Sequence, residues 1–171
     1  MPDTPAAVVN IESEVVRRIE ATEVQPSPFP HMRIDGIFPD NFYAEIRRNI
    51  PDRKFYRRIT DTGRAKGEAY DARLILHLSR VDVLLPPAQQ PFWKSMNSWI
   101  TGSDLASAFA KKFSAVIEQN AGRDPRTLDY GVEAMLVKDL DGYQIGPHTD
   151  IRSRAVSAMF YLPRSEEHTS E

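Results

Sequence analysis

The pattern of apolar and polar residues changes from helical to strand-like about three quarters of the way along the 171-residue chain. Val8, Ile11, Val15 and Ile19 recur every three or four residues, which predicts an amphipathic helix over about residues 4–22. The same spacing predicts three more helices, which begin near Pro39, after Pro87 and after the separating residues Gly102 and Ser103. Their apolar faces are Phe42, Ile46 and Ile50; Phe92, Met96, Trp99 and Ile100; and Leu105, Phe109, Val116 and Ile117.

Strand-like patterns are shorter and lie mostly in the C-terminal part. Residues 31–35 and the alternating leucines of residues 74–78 predict two early extended pieces. Residues 130–137 and 156–162 predict the main strands, whereas residues 51–70 lose their periodicity and predict a loop. Helices first and strands last is typical of an α+β fold, in which helices buttress a sheet.

Composition limits the possible chemistry and location. The chain is 41% apolar and 27% charged, as in an ordinary globular protein, and its net charge of -2 gives no general attraction to nucleic acid or anionic membranes. No apolar run approaches the ~20 residues of a membrane helix, and the first residues have no signal-peptide pattern. We therefore expect a cytoplasmic protein without membrane partners. Because cysteine is absent, any metal site must use histidines and carboxylates.

The main candidate chemistry is the step His148-Thr149-Asp150. On an extended chain, residues i and i+2 project to the same face, so an imidazole and a carboxylate can converge on one ion. One further histidine would complete the two-His, one-carboxylate triad that holds Fe(II) with three positions open. The tripeptide alone is also compatible with another interpretation, in which His148 and Asp150 cap a turn and hydrogen-bond each other.

The residues around this step resemble the 2-oxoglutarate- and Fe(II)-dependent dioxygenases, particularly the prolyl-4-hydroxylase-like group. In that family a tyrosine and His-x-Asp are followed by a basic residue and by a strand that ends in Tyr-Leu-Asn or Tyr-Leu-Pro. Here Tyr143, Arg154 and Tyr161-Leu162-Pro163 take those places. The resemblance is close over residues 142–163 and loose over most of the remaining chain.

The resemblance implies that His148 and Asp150 are Fe(II) ligands, that Tyr161 hydrogen-bonds 2-oxoglutarate, and that Tyr143 is a second candidate for that role. Amphipathic packing is the alternative role for both tyrosines. The implied fold is an incomplete double-stranded β-helix (jelly-roll) with N-terminal helices. The implied reaction is hydroxylation of a small-molecule, peptide or sugar substrate by O2, coupled to decarboxylation of 2-oxoglutarate to succinate. Ascorbate is an additional candidate cofactor, and no other catalytic residue is assigned.

The family pattern also requires a distal histidine and, beyond it, an Arg or Lys that pairs with the far carboxylate of 2-oxoglutarate. Only residues 164–171 follow Pro163, and they match the translation of a common sequencing adapter. We therefore expect a non-native tail there and do not take His168 as the third ligand. The expected organisation is a truncated, inactive oxygenase domain over residues 1–163, helical to about 125 and with the jelly-roll starting at about 126.

Two other functions stay open at the level of sequence. One is a non-catalytic jelly-roll module that binds a metal ion or a sugar at the same site. The other is a nucleic-acid demethylase of the same superfamily, suggested by the basic residues between Arg53 and Lys66. Such a run is more often a solvated loop, and nucleic acid is not the expected partner. His31 and His77 have no metal-spaced neighbour, so we expect them to be structural or solvent-facing.

Overall fold

The computed structural model describes residues 6–146, 148, 150–151 and 153–162, with side chains described from Ile11 onward. Within these residues the chain forms six α-helices: α1 (Ala6–Ala21), α2 (Asp40–Asn49), α3 (Val81–Leu84), α4 (Gln90–Ile100), α5 (Ser103–Lys112) and α6 (Ser114–Ala121). Three strands, β1 (Arg57–Arg58), β2 (Arg73–His77) and β3 (Met135–Asp139), form one antiparallel sheet in that same part of the chain.

The first helix follows its predicted apolar periodicity. Ile11, Val15 and Ile19 are all buried, because a four-residue spacing places them on one stripe of the helix surface. This stripe belongs to the main hydrophobic core, and α1 packs against α5. Val8, the fourth residue of the predicted stripe, lies among those whose side chains are not described.

Helix α4 contributes the largest side chains of the core. Trp93, Met96 and Trp99 are buried together, because residues three apart lie on the same side of a helix. The indole Nε1 of Trp93 donates a hydrogen bond to the backbone carbonyl of Asn49 at 2.7 Å, which joins α4 to the end of α2. The ring of Phe38 packs edge-on against Trp99, so the chain ahead of α2 belongs to the same core.

The helix predicted after Ser103 is interrupted at Phe113. This residue has φ -103° and ψ 19°, outside the helical range, and divides the segment into α5 and α6. The Phe113 side chain is buried at this break. None of the helices in the described part of the chain is long and apolar enough to cross a membrane.

Strand β2 is central in the sheet, between β1 and β3. Its register pairs Leu74 with Lys138 and Leu76 with Leu136. The extended piece predicted from the alternating leucines is confirmed as β2, which ends at His77. Leu74, Ile75 and Leu76 are all buried, so this central strand is covered on both faces rather than on one.

The predicted C-terminal strands form only in part. The piece predicted over residues 130–137 becomes β3, which begins later, at Met135. Residues 156–162 form no strand, and residues 31–35 contribute only an isolated bridge from His31 to Gln25. A strand requires a neighbouring ladder of hydrogen bonds, and these two pieces lack one among the described residues. The described three-stranded sheet does not close, so the jelly-roll stays a prediction.

Candidate metal-binding site

The chain leaves β3 through a turn that leads toward the predicted iron ligands. The Leu140 amide still donates to the Ala72 carbonyl at 2.8 Å, and the Tyr143 amide donates to the Leu140 carbonyl at 3.1 Å. Gly142 has φ +80°, a conformation that glycine adopts without the Cβ clash of other residues. The glycine therefore allows the turn that redirects the chain away from the sheet edge.

Tyr143 lies against the sheet. The guanidinium carbon of Arg73 sits 4.3 Å from the centre of the Tyr143 ring, a cation–π contact. The same guanidinium donates to Asp139 at 2.6 and 2.7 Å. Burial raises the pKa of Tyr143, and its hydroxyl is buried without a hydrogen-bond partner among the described residues. These contacts give Tyr143 a packing role, and its predicted contact with 2-oxoglutarate stays a prediction.

His148 is exposed and has a defined ring orientation. Its Nδ1 lies 3.0 Å from the carbonyl oxygen of Gly146, which makes Nδ1 the protonated nitrogen and leaves the Nε2 lone pair free in the neutral imidazole. Metal-binding histidines commonly use this arrangement. It is not specific to metal sites, however, because His31 makes the same contact with the Phe29 carbonyl at 2.8 Å. Both histidines follow a proline.

Asp150 closes a local loop. Arg154 Nη1 donates to Oδ1 at 2.9 Å, and Ser157 Oγ donates to Oδ2. The Arg154 amide also donates to the Ile151 carbonyl at 2.9 Å, which tightens the turn between them. Both carboxylate oxygens are therefore engaged. No hydrogen bond joins Asp150 to His148 in the described structure, so the mutual bond of the alternative interpretation was wrong. Its other part, in which Asp150 bonds a turn, agrees with the contact from Arg154.

Tyr161 points away from the hydrophobic core. It is 78% exposed, and its hydroxyl donates to the sulfur of Met159 at 3.7 Å. The neighbouring Phe160 stacks on Phe38 with ring centres 5.4 Å apart, and Leu162 also packs against the core. Tyr161 therefore faces the solvent while its neighbours anchor the segment. Its predicted role toward 2-oxoglutarate stays a prediction.

The donor set can be compared with the needs of an iron ion. A facial triad uses three protein ligands, and the described residues contain no group of three or more His, Asp or Glu side chains that could hold a metal. Asp150, moreover, has its oxygens occupied by a guanidinium and a hydroxyl. His148 and Asp150 do not by themselves fit an iron centre in this arrangement. Pro163 and the expected non-native tail over residues 164–171, which includes His168, lie outside the described residues.

A different polar cluster lies at the end of β2. Arg64 forms a two-point ion pair with Glu133, which also lies 3.2 Å from Nδ1 of His77. The structural role expected for His77 agrees with this contact, which ties the chain between β1 and β2 to the residues that precede β3. Because 69 residues separate Arg64 from Glu133, no local pattern in the sequence indicates this pairing.

Two residues that contact the candidate site residues were not predicted from the sequence. Ser157 bonds Asp150 from seven residues away, and its place in the Arg154–Pro163 run was the only local signal. Arg73 reaches Tyr143 across the sheet and has no sequence signal, since the contact depends on the β2–β3 register.

Comparisons with protein-family models, curated proteins and solved structures found no match to this chain.

Proposed function

We propose that this chain carries two of the three iron ligands of a non-haem Fe(II), 2-oxoglutarate-dependent oxygenase. The observation that carries the proposal is the ordered set Tyr143, His148-x-Asp150, Arg154 and Tyr161-Leu162-Pro163. In this proposal the intact enzyme hydroxylates a small-molecule, peptide or sugar substrate in the cytoplasm. It couples this to decarboxylation of 2-oxoglutarate to succinate, with ascorbate as a candidate reductant.

The state of His148 supports the proposal. With Nδ1 of the exposed His148 ring bonded to the Gly146 carbonyl, Nε2 is the nitrogen that a metal ion could bind. Fe(II), when bound, would supply the redox chemistry for O2 activation. The proposal requires a third ligand and a cation for 2-oxoglutarate from outside the described residues.

Arg154 sets a condition for metal binding. Its Nη1 lies 2.9 Å from Oδ1 of Asp150. The Arg154 side chain is 42% exposed and the Asp150 side chain 37%. An exposed pair of this kind contributes at most about 1 kcal/mol, so a dication can compete for the carboxylate. In the proposed enzyme Arg154 gives up this contact when the site is completed.

The test uses the longest natural reading frame that contains residues 1–163. Incubated with Fe(II), 2-oxoglutarate and O2, this protein should form succinate, and His148→Ala should lower the rate at least a hundredfold because a ligand is lost. His31→Ala is the matched control, since His31 makes the same contact with a carbonyl but has no carboxylate two residues on. It should stay within twofold of the unaltered protein.

The other outcomes decide against the proposal. Co(II) binding that depends on His148, without succinate formation, would identify the non-catalytic binding module instead. If the protein neither binds Co(II) nor forms succinate, the metal site is ruled out altogether. Reading the genomic sequence past codon 163 adds an independent check, because the proposal expects a β-patterned continuation that holds a histidine and then an Arg or Lys.

A further inference from the structure

The segment from Arg47 to Arg58 holds three pairs of basic residues: Arg47–Arg48, Arg53–Lys54 and Arg57–Arg58. These twelve residues contain six of the 22 Lys and Arg residues and one of the 24 Asp and Glu residues. The segment therefore carries a net +5, while the rest of the chain carries -7. The net charge of -2 gave no reason to expect a polyanionic partner, because it sums the positive segment and the negative remainder of the chain.

The fold holds this basic segment on the surface. Pro51 is fully buried, and Phe55 and Tyr56 pack against the main core between the basic pairs. The hydrogen bond from Trp93 to the Asn49 carbonyl fixes the start of the segment. All six basic side chains are exposed. The apolar residues thus anchor the backbone from inside, and the cations face the solvent.

The arginines of the basic segment lack carboxylate partners. Among the described residues, none of its five arginines forms an ion pair. The carboxylate contact of Lys54 is with Asp52, at 3.7 Å, with both side chains more than 70% exposed. Such a pair contributes little. The Lys54 Nζ also lies 5.1 Å from the centre of the Phe55 ring. The following arginines elsewhere in the described structure do form ion pairs with carboxylates: Arg17, Arg18, Arg33, Arg64, Arg73, Arg126 and Arg154.

From these observations we propose that the basic segment binds the phosphodiester backbone of nucleic acid. Five of its six cations are arginines, whose planar guanidinium matches phosphate oxygens in a two-point contact. An anionic membrane is disfavoured, because stable anchoring to a bilayer requires an apolar signal in addition to a basic patch. Here Pro51, Phe55 and Tyr56 point inward and only Ile50, at 37%, is markedly exposed. The contacts are to phosphates, so no base sequence is selected. This proposal stands independently of the iron site.

The experiment measures binding of a fluorescein-labelled 20-nucleotide oligo-dT to the full chain by fluorescence anisotropy. Six phosphate contacts on a single strand give a slope of about -4 for log K against log salt. The affinity should therefore fall about 250-fold between 50 and 200 mM NaCl. Removing two contacts in Arg57→Gln/Arg58→Gln should reduce the slope by about 1.4 and weaken binding at least fivefold at 50 mM.

The matched control is Arg80→Gln/Arg123→Gln, which removes the same charge at two exposed arginines that also form no ion pair in the described structure. It should change the slope by less than 0.5. Arg47→Gln/Arg48→Gln repeats the test at the other end of the segment. It replaces Arg57→Gln/Arg58→Gln if that variant misfolds, and the same changes in slope and affinity are expected. The proposal is overturned if the protein does not bind oligo-dT at 50 mM NaCl, or if the control weakens binding as much as the segment variants. It is equally overturned if only phosphatidylserine vesicles are bound.

Discussion

The helical core and the segment over residues 140–162 are organised by different forces. In the core, Trp93 is 1% exposed and Val15 and Ile19 are completely buried. In the later segment no described residue is buried, and Asp150 is held by an exposed ion pair and a hydroxyl. Burial of apolar surface stabilises a fold far more than exposed polar contacts do. We therefore expect changes in the helical core to affect stability much more than changes at the candidate site.

The largest expected effect tests the core side of this comparison. Trp93→Ala should lower the free energy of unfolding by about 3–5 kcal/mol, because it leaves a cavity and removes the donor to the Asn49 carbonyl. Urea denaturation followed by far-UV circular dichroism measures the loss. Trp93→Phe keeps most of the apolar volume and should lose less than half as much. A loss below 1 kcal/mol for the alanine variant would show that the core does not dominate stability.

A smaller effect is expected where the two regions meet. Phe160→Ala removes the ring stacked on Phe38 and should cost about 1–2 kcal/mol, since the contact is only partly buried. It should also speed tryptic cleavage after the exposed Arg154 several-fold, while cleavage within α1 stays slow. Tyr161→Ala is the control, because that side chain is 78% exposed. If both variants behave alike, Phe160 does not anchor the segment.

The smallest effect is predicted at the candidate site itself. Asp150→Asn should change the free energy of unfolding by less than about 0.5 kcal/mol, because its partner Arg154 is exposed. The comparison variant is Asp139→Asn, which disturbs a cross-strand pair with the better buried Arg73 and should cost about 1 kcal/mol. Thermal unfolding of the two proteins side by side gives the difference. Equal losses would mean that the later segment contributes to stability as the sheet does.

The helices could be predicted from sequence because their information is local. Ile11, Val15 and Ile19 define a stripe without reference to any other part of the chain. The break at Phe113 was not predicted, since it depends on where that ring finds space in the interior. Burial of Ile75 was also missed, because it follows from the position of β2 between two other strands.

The candidate site was predicted as a set of residues and not as a geometry. His148 and Asp150 were identified by residue type and spacing, which is information that a sequence carries directly. Their contacts depend on Gly146, Arg154 and Ser157, whose bonds follow from the loop conformation. The position of the Tyr143 ring depends on its contact with Arg73, which lies 70 residues earlier in the chain. No local sequence pattern around either residue predicts a contact between them.

The order of the strands has a consequence for synthesis on the ribosome. The central strand β2 has two register pairs with β1 and five with β3. Most of its pairing therefore waits for a partner that is translated later, by 64 residues for Leu74 and Lys138. At 5–20 residues per second this delay is about 3 to 13 s. Helix α1 and the Phe38–Trp99 contact need no residue beyond α5 and can form in the meantime. The nascent chain should thus acquire its helices first and complete its sheet only after Asp139 emerges.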